Sequence, residues 1–505
     1  MQPIKGTESS RDTKMGHNTT GTGDTGGLSR RQYLTGASIG AVAASVAVTG
    51  CLGGARDENT IVMTGDTDFE GAMRGDDADA SIQEALWDAG LDDDITVEVQ
   101  ASVDDTDQRM QQYQSTLQAG RSPPDIFMMD SGWTLPFILR EQTTSMTEVL
   151  PNDVLERVEE DYLDASLETA RHPQTGELHA VPLFPDFGTM QYRRDLVEDA
   201  GYDTSDWDED PPSWEEFAEA AADARDEAGI DFGYTTQAAS YEGLSCCTFN
   251  EVMTTWGGAY FGGTDTLFEA GERSITVDSE PVLDSIRMMR AFIHGDDDPH
   301  ALDGYPEIAP STIVQWTEEE ARGPFAAGNA VMHRNWPYSI GISGAEEEFG
   351  EDLGVMPMPY AVSEDEAEFE GTGGSAHALG GWHLVLNPNT ERSEMALDVI
   401  EAFTQDEVMA RIFETLSFIP PKVELLDEFD PDETGPVARY SEQIQQAAED
   451  AIPRPVTDVW PEQSSVMAQE IHAAYRGVKS PEEAMGDLNS RLEQSEADVR
   501  GQDGD

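Results

Sequence analysis

The chain has 505 residues, of which 101 are Asp or Glu and 29 are Lys or Arg, giving a formal net charge of -72. Such a field repels phosphate backbones and excludes nucleic-acid binding. A content of 38% hydrophobic residues with nine Trp excludes a disordered acidic tail, and the length predicts two or more lobes around large cores.

Only four of the basic residues are Lys (Lys5, Lys14, Lys422 and Lys479). Acids scattered among aliphatic and aromatic residues, rather than set in runs, form the coat of a folded globule and not a calcium buffer. At molar salt the screening length falls to about 3 Å, so the composition predicts an extreme halophile whose stability depends on salt.

In chain order, Ser29-Arg30-Arg31-Gln32-Tyr33-Leu34 opens an apolar stretch, Ala37 to Val48, which ends in Val48-Thr49-Gly50-Cys51. A run this short falls below the ~20 residues that span a bilayer, so residues 1–50 are predicted to be an export signal. The arginine pair resembles a twin-arginine signal, and the segment up to Cys51 resembles a lipobox. Lipidation of Cys51 would start the mature chain there and anchor it to the extracellular face of the cell membrane. A Gly-x-Ser-x-Gly string, Gly36 to Gly40, lies inside this signal and carries no catalytic meaning.

Thr60 to Thr64 predicts a strand, Ser81 to Ala89 a helix, Ile95 to Val99 a strand, Asp107 to Ala119 a helix and Asp125 to Met129 a strand. This alternation is the signature of a parallel α/β sheet, whose ligands bind beyond the carboxyl ends of strands. Asp130-Ser131-Gly132-Trp133 falls at one such end. The run His179 to Phe184, ending at Pro185-Asp186-Phe187-Gly188, places Asp186 similarly. Ser213 and Glu216 read as the cap and third position of a helix. Apolar runs follow at Phe325 to Met332, Gly354 to Met358 and Gly381 to Leu386, and helices are expected over Met395 to Leu416 and the last 45 residues.

Several chemistries lack their residues. There is no Walker A loop, no Gly-x-Gly-x-x-Gly helix start and no His-Glu-x-x-His pair, and the spacing of His377 and His383 fits no familiar zinc motif. No cofactor or metal is expected. Asp66-Thr67-Asp68-Phe69-Glu70-Gly71 has the alternating acids of a calcium loop but Asp77 at its twelfth position; a strand-to-helix loop with a capping acid is the alternative. Apart from Cys51, the cysteines are the neighbours Cys246 and Cys247. Adjacent Cα atoms stand about 3.8 Å apart, below the usual disulfide span, so a vicinal disulfide and two buried thiols both remain open.

An acid or amide beside an aromatic recurs at Asp130/Trp133, Asp186/Tyr192, Tyr241/Glu242 and Asn335/Trp336, and Gly381/Trp382 adds an aromatic beside bare backbone. A neutral sugar needs such partners: carboxylates and amides for its hydroxyls, flat rings for its C-H faces. The chain resembles the extracellular solute-binding proteins of carbohydrate ABC importers, of the trehalose/maltose-binding type. The resemblance runs from about residue 60 to 495 through Pro124 to Trp133, Ala180 to Asp195, Tyr241-Glu-Gly-Leu244 with Glu251 and Gly257-Gly258, Phe325 to Met332, Arg334-Asn-Trp-Pro-Tyr338, Leu379-Gly-Gly-Trp382, Ile419-Pro-Pro421 and Arg454-Pro455.

That resemblance implies a periplasmic-binding-protein-like α/β fold of type II, with an interlobe cleft and hinge crossovers near Asp186 and Trp382. Its lobes would be 58–186 plus 383–445 and 187–382 plus 446–500. It implies that Asp130, Asp186 and Glu242 bind hydroxyls, that Trp336 and Trp382 stack on sugar rings, that Arg454 hydrogen-bonds, and that Gly380 and Gly381 let backbone approach the ligand. Glu70, Trp133, Tyr192 and Tyr241 are further candidates, while Trp214 and Trp256 read as core. The implied protein is a monomer and not an enzyme, with a carbohydrate ligand and ABC permease subunits as partners. A polyamine or another small polar solute is the alternative ligand, and a glycosidase using Asp130 and Asp186 the alternative class. One departure stands out: the segment with Cys246-Cys247-Thr248 is one residue longer than usual, leaving the placement of Glu251 open.

Overall fold

The computed structural model describes residues 57–75, 81–103, 106–263, 266–452, 454–455 and 457–502. The arginine pair, the apolar run after it, Cys51 and Asp77 lie outside the described residues. Among the described residues no helix is long and apolar enough to cross a membrane.

Two sheets carry the architecture. The first contains β1 (Thr60–Gly65), β2 (Thr96–Ala101), β3 (Ile126–Asp130), β4 (Val181–Phe187), β9 (His377–Leu386) and β10 (Ala451–Ile452), in the order β10-β9-β3-β1-β2 with β4 also on β9. β1 runs parallel to β2 and β3, as the strand-helix alternation requires, and β9 runs antiparallel to β3 and β4. The second sheet has the order β6-β7-β5-β8, from β5 (Thr189–Arg193), β6 (Phe232–Thr235), β7 (Ala330–Asn335) and β8 (Leu353–Met356).

Helix starts follow their capping residues. Ser81 accepts from the Glu84 amide at 3.0 Å and Ser213 from that of Glu216 at 3.2 Å. Asp66 accepts from the Phe69 amide at 2.7 Å and so caps helix Thr67–Arg74. The run Met395 to Leu416 is two helices, Ser393–Phe403 and Asp406–Leu416. Thr404 turns its hydroxyl back onto the Glu401 carbonyl at the break, and Asp406 and Glu407 supply the acidic first turn of the second helix.

The chain passes from the first sheet to the second at Gly188, between β4 and β5. It returns as β9, which belongs wholly to the first sheet, so the return precedes His377 rather than falling at Trp382. Gly380 and Gly381 lie inside β9. Gly381 takes φ +127, and a β-carbon there would lie 2.5 Å from the Phe184 carbonyl, a packing only glycine allows. After β10 the chain joins the second lobe, where helix Trp460–Tyr475 shares a core with helix Glu280–His294 and with Trp214. A further cluster gathers Phe187 and Leu379 from the crossing strands, Ile340 and Val355 from the second lobe, and Phe413, Tyr440 and Ile444 from later helices.

Candidate functional site

The first lobe contributes one wall. Asp130, the last residue of β3, is 8% exposed and accepts from the Gly132 amide at 2.7 Å. Its register partner on β9 is Trp382, whose ring meets that of Trp133 edge-on at 6.2 Å and 89°. Arg109, on helix Thr106–Gln118, lays its guanidinium 4.6 Å over the Trp382 ring. The indole of Trp382 is therefore shared between Arg109 and Trp133.

The second lobe contributes the facing wall. Tyr241 donates to Glu318 at 2.6 Å, and Glu242 follows it at the helical start that runs into a π-helical turn, Leu244–Thr248. Trp336 follows β7 and carries the Arg334 guanidinium 4.3 Å from its ring centre. Between the walls, Asp186 and Gly380 are register partners on the crossing strands. Gly380 lies against both groups: a β-carbon there would stand 3.4 Å from the Trp336 ring and 3.6 Å from the Asp186 Cβ, in ordinary contact.

Arg454 ties the walls together. Its Nη1 donates to Asp130 at 2.9 Å and to Glu242 at 3.1 Å, one residue from each lobe. Trp460 Nε1 adds a bond to Glu242 at 3.4 Å. Beside this bridge lies a small pocket of about 90 Å³. Asp107, Met110 and Trp133 line it from one side, and Tyr241, Glu242 and Trp460 from the other.

Electrostatics follow from burial. The Asp186 carboxyl is pushed up to about 8, mainly by desolvation that outweighs the nearby Arg334. Glu242 is pushed up to about 7, again first by burial, with Arg454 pulling down and Asp130 pushing up. One guanidinium shared by two buried carboxylates leaves Glu242 readily protonated. Three donors around the cleft, Arg109 Nη1, Trp133 Nε1 and Arg454 Nε, are buried and find no hydrogen-bond partner among the described residues. Buried donors are nearly always paired, so such a group marks a place where a ligand oxygen or a water completes the bonding.

The structure thus brings Asp130, Trp133, Asp186, Tyr241, Glu242, Trp336, Gly380, Trp382 and Arg454 to one cleft. Two expected residues, Tyr192 and Gly381, face away from it. Tyr192 is 1% exposed and packs on Trp207 at 5.3 Å in the second lobe's core, because the alternation of β5 turns it away. Glu70 pairs with Arg74 one helical turn on, at 2.6 Å. Gly381 faces β4. Arg109, Gly132 and Trp460 were missed: Arg109 lies in a helix whose pattern reads as core, and Trp460 opens a helix only six residues after Arg454.

Around Cys246 the helix makes a π turn, which takes in one residue more than an α turn, and Glu251 beyond it reaches Arg334, at 2.7 and 2.5 Å, and the Ala378 amide at 2.9 Å. Cys246 and Cys247 are joined in a vicinal disulfide. His377 bonds the Gly188 carbonyl and His383 bonds Thr134 and Thr169, so both serve as buried polar links. No group of three or more metal-ligating side chains occurs among the described residues.

Residues 88–434 match the family described as bacterial extracellular solute-binding protein. The chain belongs to that family. A probable ABC transporter-binding protein of Deinococcus radiodurans is 26% identical over 322 residues, 63% of this chain and 66% of that protein; the match thus spans just under two thirds of that relative. The maltose-bound MalE3 of T. maritima superposes with a TM-score of 0.69 at 25% identity, covering 86% of this chain and 99% of that one. A solute-binding protein of Thermotoga lettingae with bound α-D-tagatose gives 0.68 at 18% identity over 86% and 99%, and shows the fold alone. The fold is the type II periplasmic-binding-protein architecture expected from sequence, and family membership makes the chain a binding protein rather than an enzyme.

Proposed function

We propose that this solute-binding protein is the lipid-anchored extracellular receptor of a carbohydrate ABC importer, taking a di- or oligosaccharide of trehalose or maltose type. The observation that carries this reading is a pocket lined by Glu242, Trp460 and the unpartnered indole of Trp133, beside the Arg454 bridge from Glu242 to Asp130. Sugar hydroxyls both donate and accept, so a single ligand can serve Asp130, Asp186 and Glu242 while completing Arg109, Trp133 and Arg454.

Capture works by a hinge. Sugar held on one wall makes the contacts of the other wall favourable, the closed state gains population, and the closed form is what the permease takes up. A micromolar affinity needs only about -8 kcal/mol after the cost of closure. Polyamine uptake is the second reading, favoured by the acids, but an ammonium chain brings only donors and would leave the three orphan donors as they are.

Thermal unfolding of the mature protein in molar KCl, with trehalose, maltose, glucose, xylose, glycerol phosphate and spermidine, tests the proposal. A shift with a sugar that persists as salt rises supports it. A shift with spermidine alone, declining with salt, replaces it by polyamine uptake.

A further inference from the structure

We infer that the Cys246-Cys247 disulfide positions the ligand-binding loop, by fixing where one surplus residue sits in the helix behind Glu242. This inference rests on reading the cleft as a sugar site. The π-helical turn Leu244–Thr248 runs directly into helix Phe249–Thr255. A π turn takes in one extra residue without changing the face presented further on. Immediately before the turn are Tyr241 and Glu242, at the pocket; beyond it is Glu251, which holds Arg334 and through it the Trp336 ring.

Both ends must therefore keep their facing. Each helical residue advances the face by about 100°. Were the surplus residue to slide along the helix, every side chain between its old and new places would turn by that amount. Glu242 would leave the Arg454 bridge, or Glu251 would leave Arg334. A bond between adjacent cysteines closes a small ring through their shared peptide and restricts the backbone at 246 and 247, the middle of the turn.

The neighbours make the turn a junction. Ser245 donates to the Glu242 carbonyl at 3.0 Å and bonds Ser464 at 2.7 Å, on the helix that begins with Trp460. Thr248 donates to the Gln237 carbonyl at 3.0 Å, and the Gln237 side chain accepts from Arg334 at 3.2 Å. The cysteines are 3% and 2% exposed, so their sulfurs act from beneath the site and touch no ligand.

Two variants test this, with sugar affinity by calorimetry and hydrogen exchange of residues 241–251 as readouts. Cys246→Ala with Cys247→Ala keeps the surplus residue but loses the bond; affinity falls about tenfold and exchange over 241–251 quickens, while helix Trp214–Ala228 is unchanged. Cys246→Ala with Cys247 deleted removes both bond and surplus, restores an ordinary α turn and recovers affinity to within about twofold of the parent. Wild-type affinity and exchange in the double alanine variant would overturn the inference, as would a folded deletion variant that stays weak. If the parent binds no sugar, the proposed function fails, and exchange alone decides: acceleration confined to 241–251 supports positioning, and no change refutes it.

Discussion

A β-carbon on Gly132 would stand 2.0 Å from Nη1 of Arg454. The guanidinium that bridges Asp130 and Glu242 occupies the space any side chain there would fill. Gly132→Ala should therefore displace Arg454 and weaken sugar binding by tenfold or more, about 1.4 kcal/mol. Gly132 is buried beside this ion bridge, so the variant should also lose stability, and affinity is compared in molar KCl at a temperature where both proteins are folded. Titration calorimetry on the variant beside its parent checks this; equal affinities would show that the bridge is dispensable.

Trp336 and Asp186 meet across Gly380, where crossing strands and second lobe converge. Buried anchors of this kind typically carry about 2 kcal/mol or more. Trp336→Ala and Asp186→Ala should each remove measurable sugar binding without unfolding the protein at high salt. Unchanged isotherms for both would discard this placement of the ligand.

Glu251 and Arg334 form a buried ion pair, each 2% exposed at its side chain, and Glu251 also receives the Ala378 amide. Removing one partner leaves a charge stranded, which costs about 3–5 kcal/mol. We expect Arg334→Met to lower the denaturation midpoint strongly and Glu251→Gln with Arg334→Met to recover part of the loss. Equal melting of single and double variants would show that the pair is not coupled.

The acid at Asp186 sets a pH dependence. Its carboxyl titrates near about 4 in the unfolded chain and is pushed up to about 8 in the fold. Between those values the folded protein holds a proton that the unfolded chain releases. Its contribution to stability is therefore full below about pH 4 and declines as pH rises through 8. Glu242, pushed up to about 7, acts in the same direction. Asp186→Asn should flatten the fall in melting temperature between about pH 4 and pH 8 and raise stability at the alkaline end. A variant that tracks the parent across that window would argue against a buried, protonated Asp186.

Alternation of strand and helix forecasts loops at strand ends, and Asp130 and Asp186 are read there, whereas Glu242 and Trp336 enter only through the acid or amide beside an aromatic and the family resemblance. Tyr192 was misplaced because an acid six residues earlier says nothing about which face of β5 a ring takes. Arg109 was invisible because its partner is Trp382, far off in sequence and joined to it only by the β3-β9 pairing. The return crossing near Trp382 was implied by the family resemblance alone, and no local signal in the sequence shows that the strand begins earlier, at His377.

Strand β9 lies between β3 and β10 and also pairs with β4, so the first lobe is stitched together by a segment made long after its other large strands. During synthesis, β1 to β4 must wait with an open edge while the whole second sheet emerges. The order of completion is thus inverted: the lobe that begins the chain is the one that cannot close until residue 386 is available. A gene fragment cut at Gly188 would encode an incomplete lobe, and an independent one would require the return segment to be spliced directly after β4.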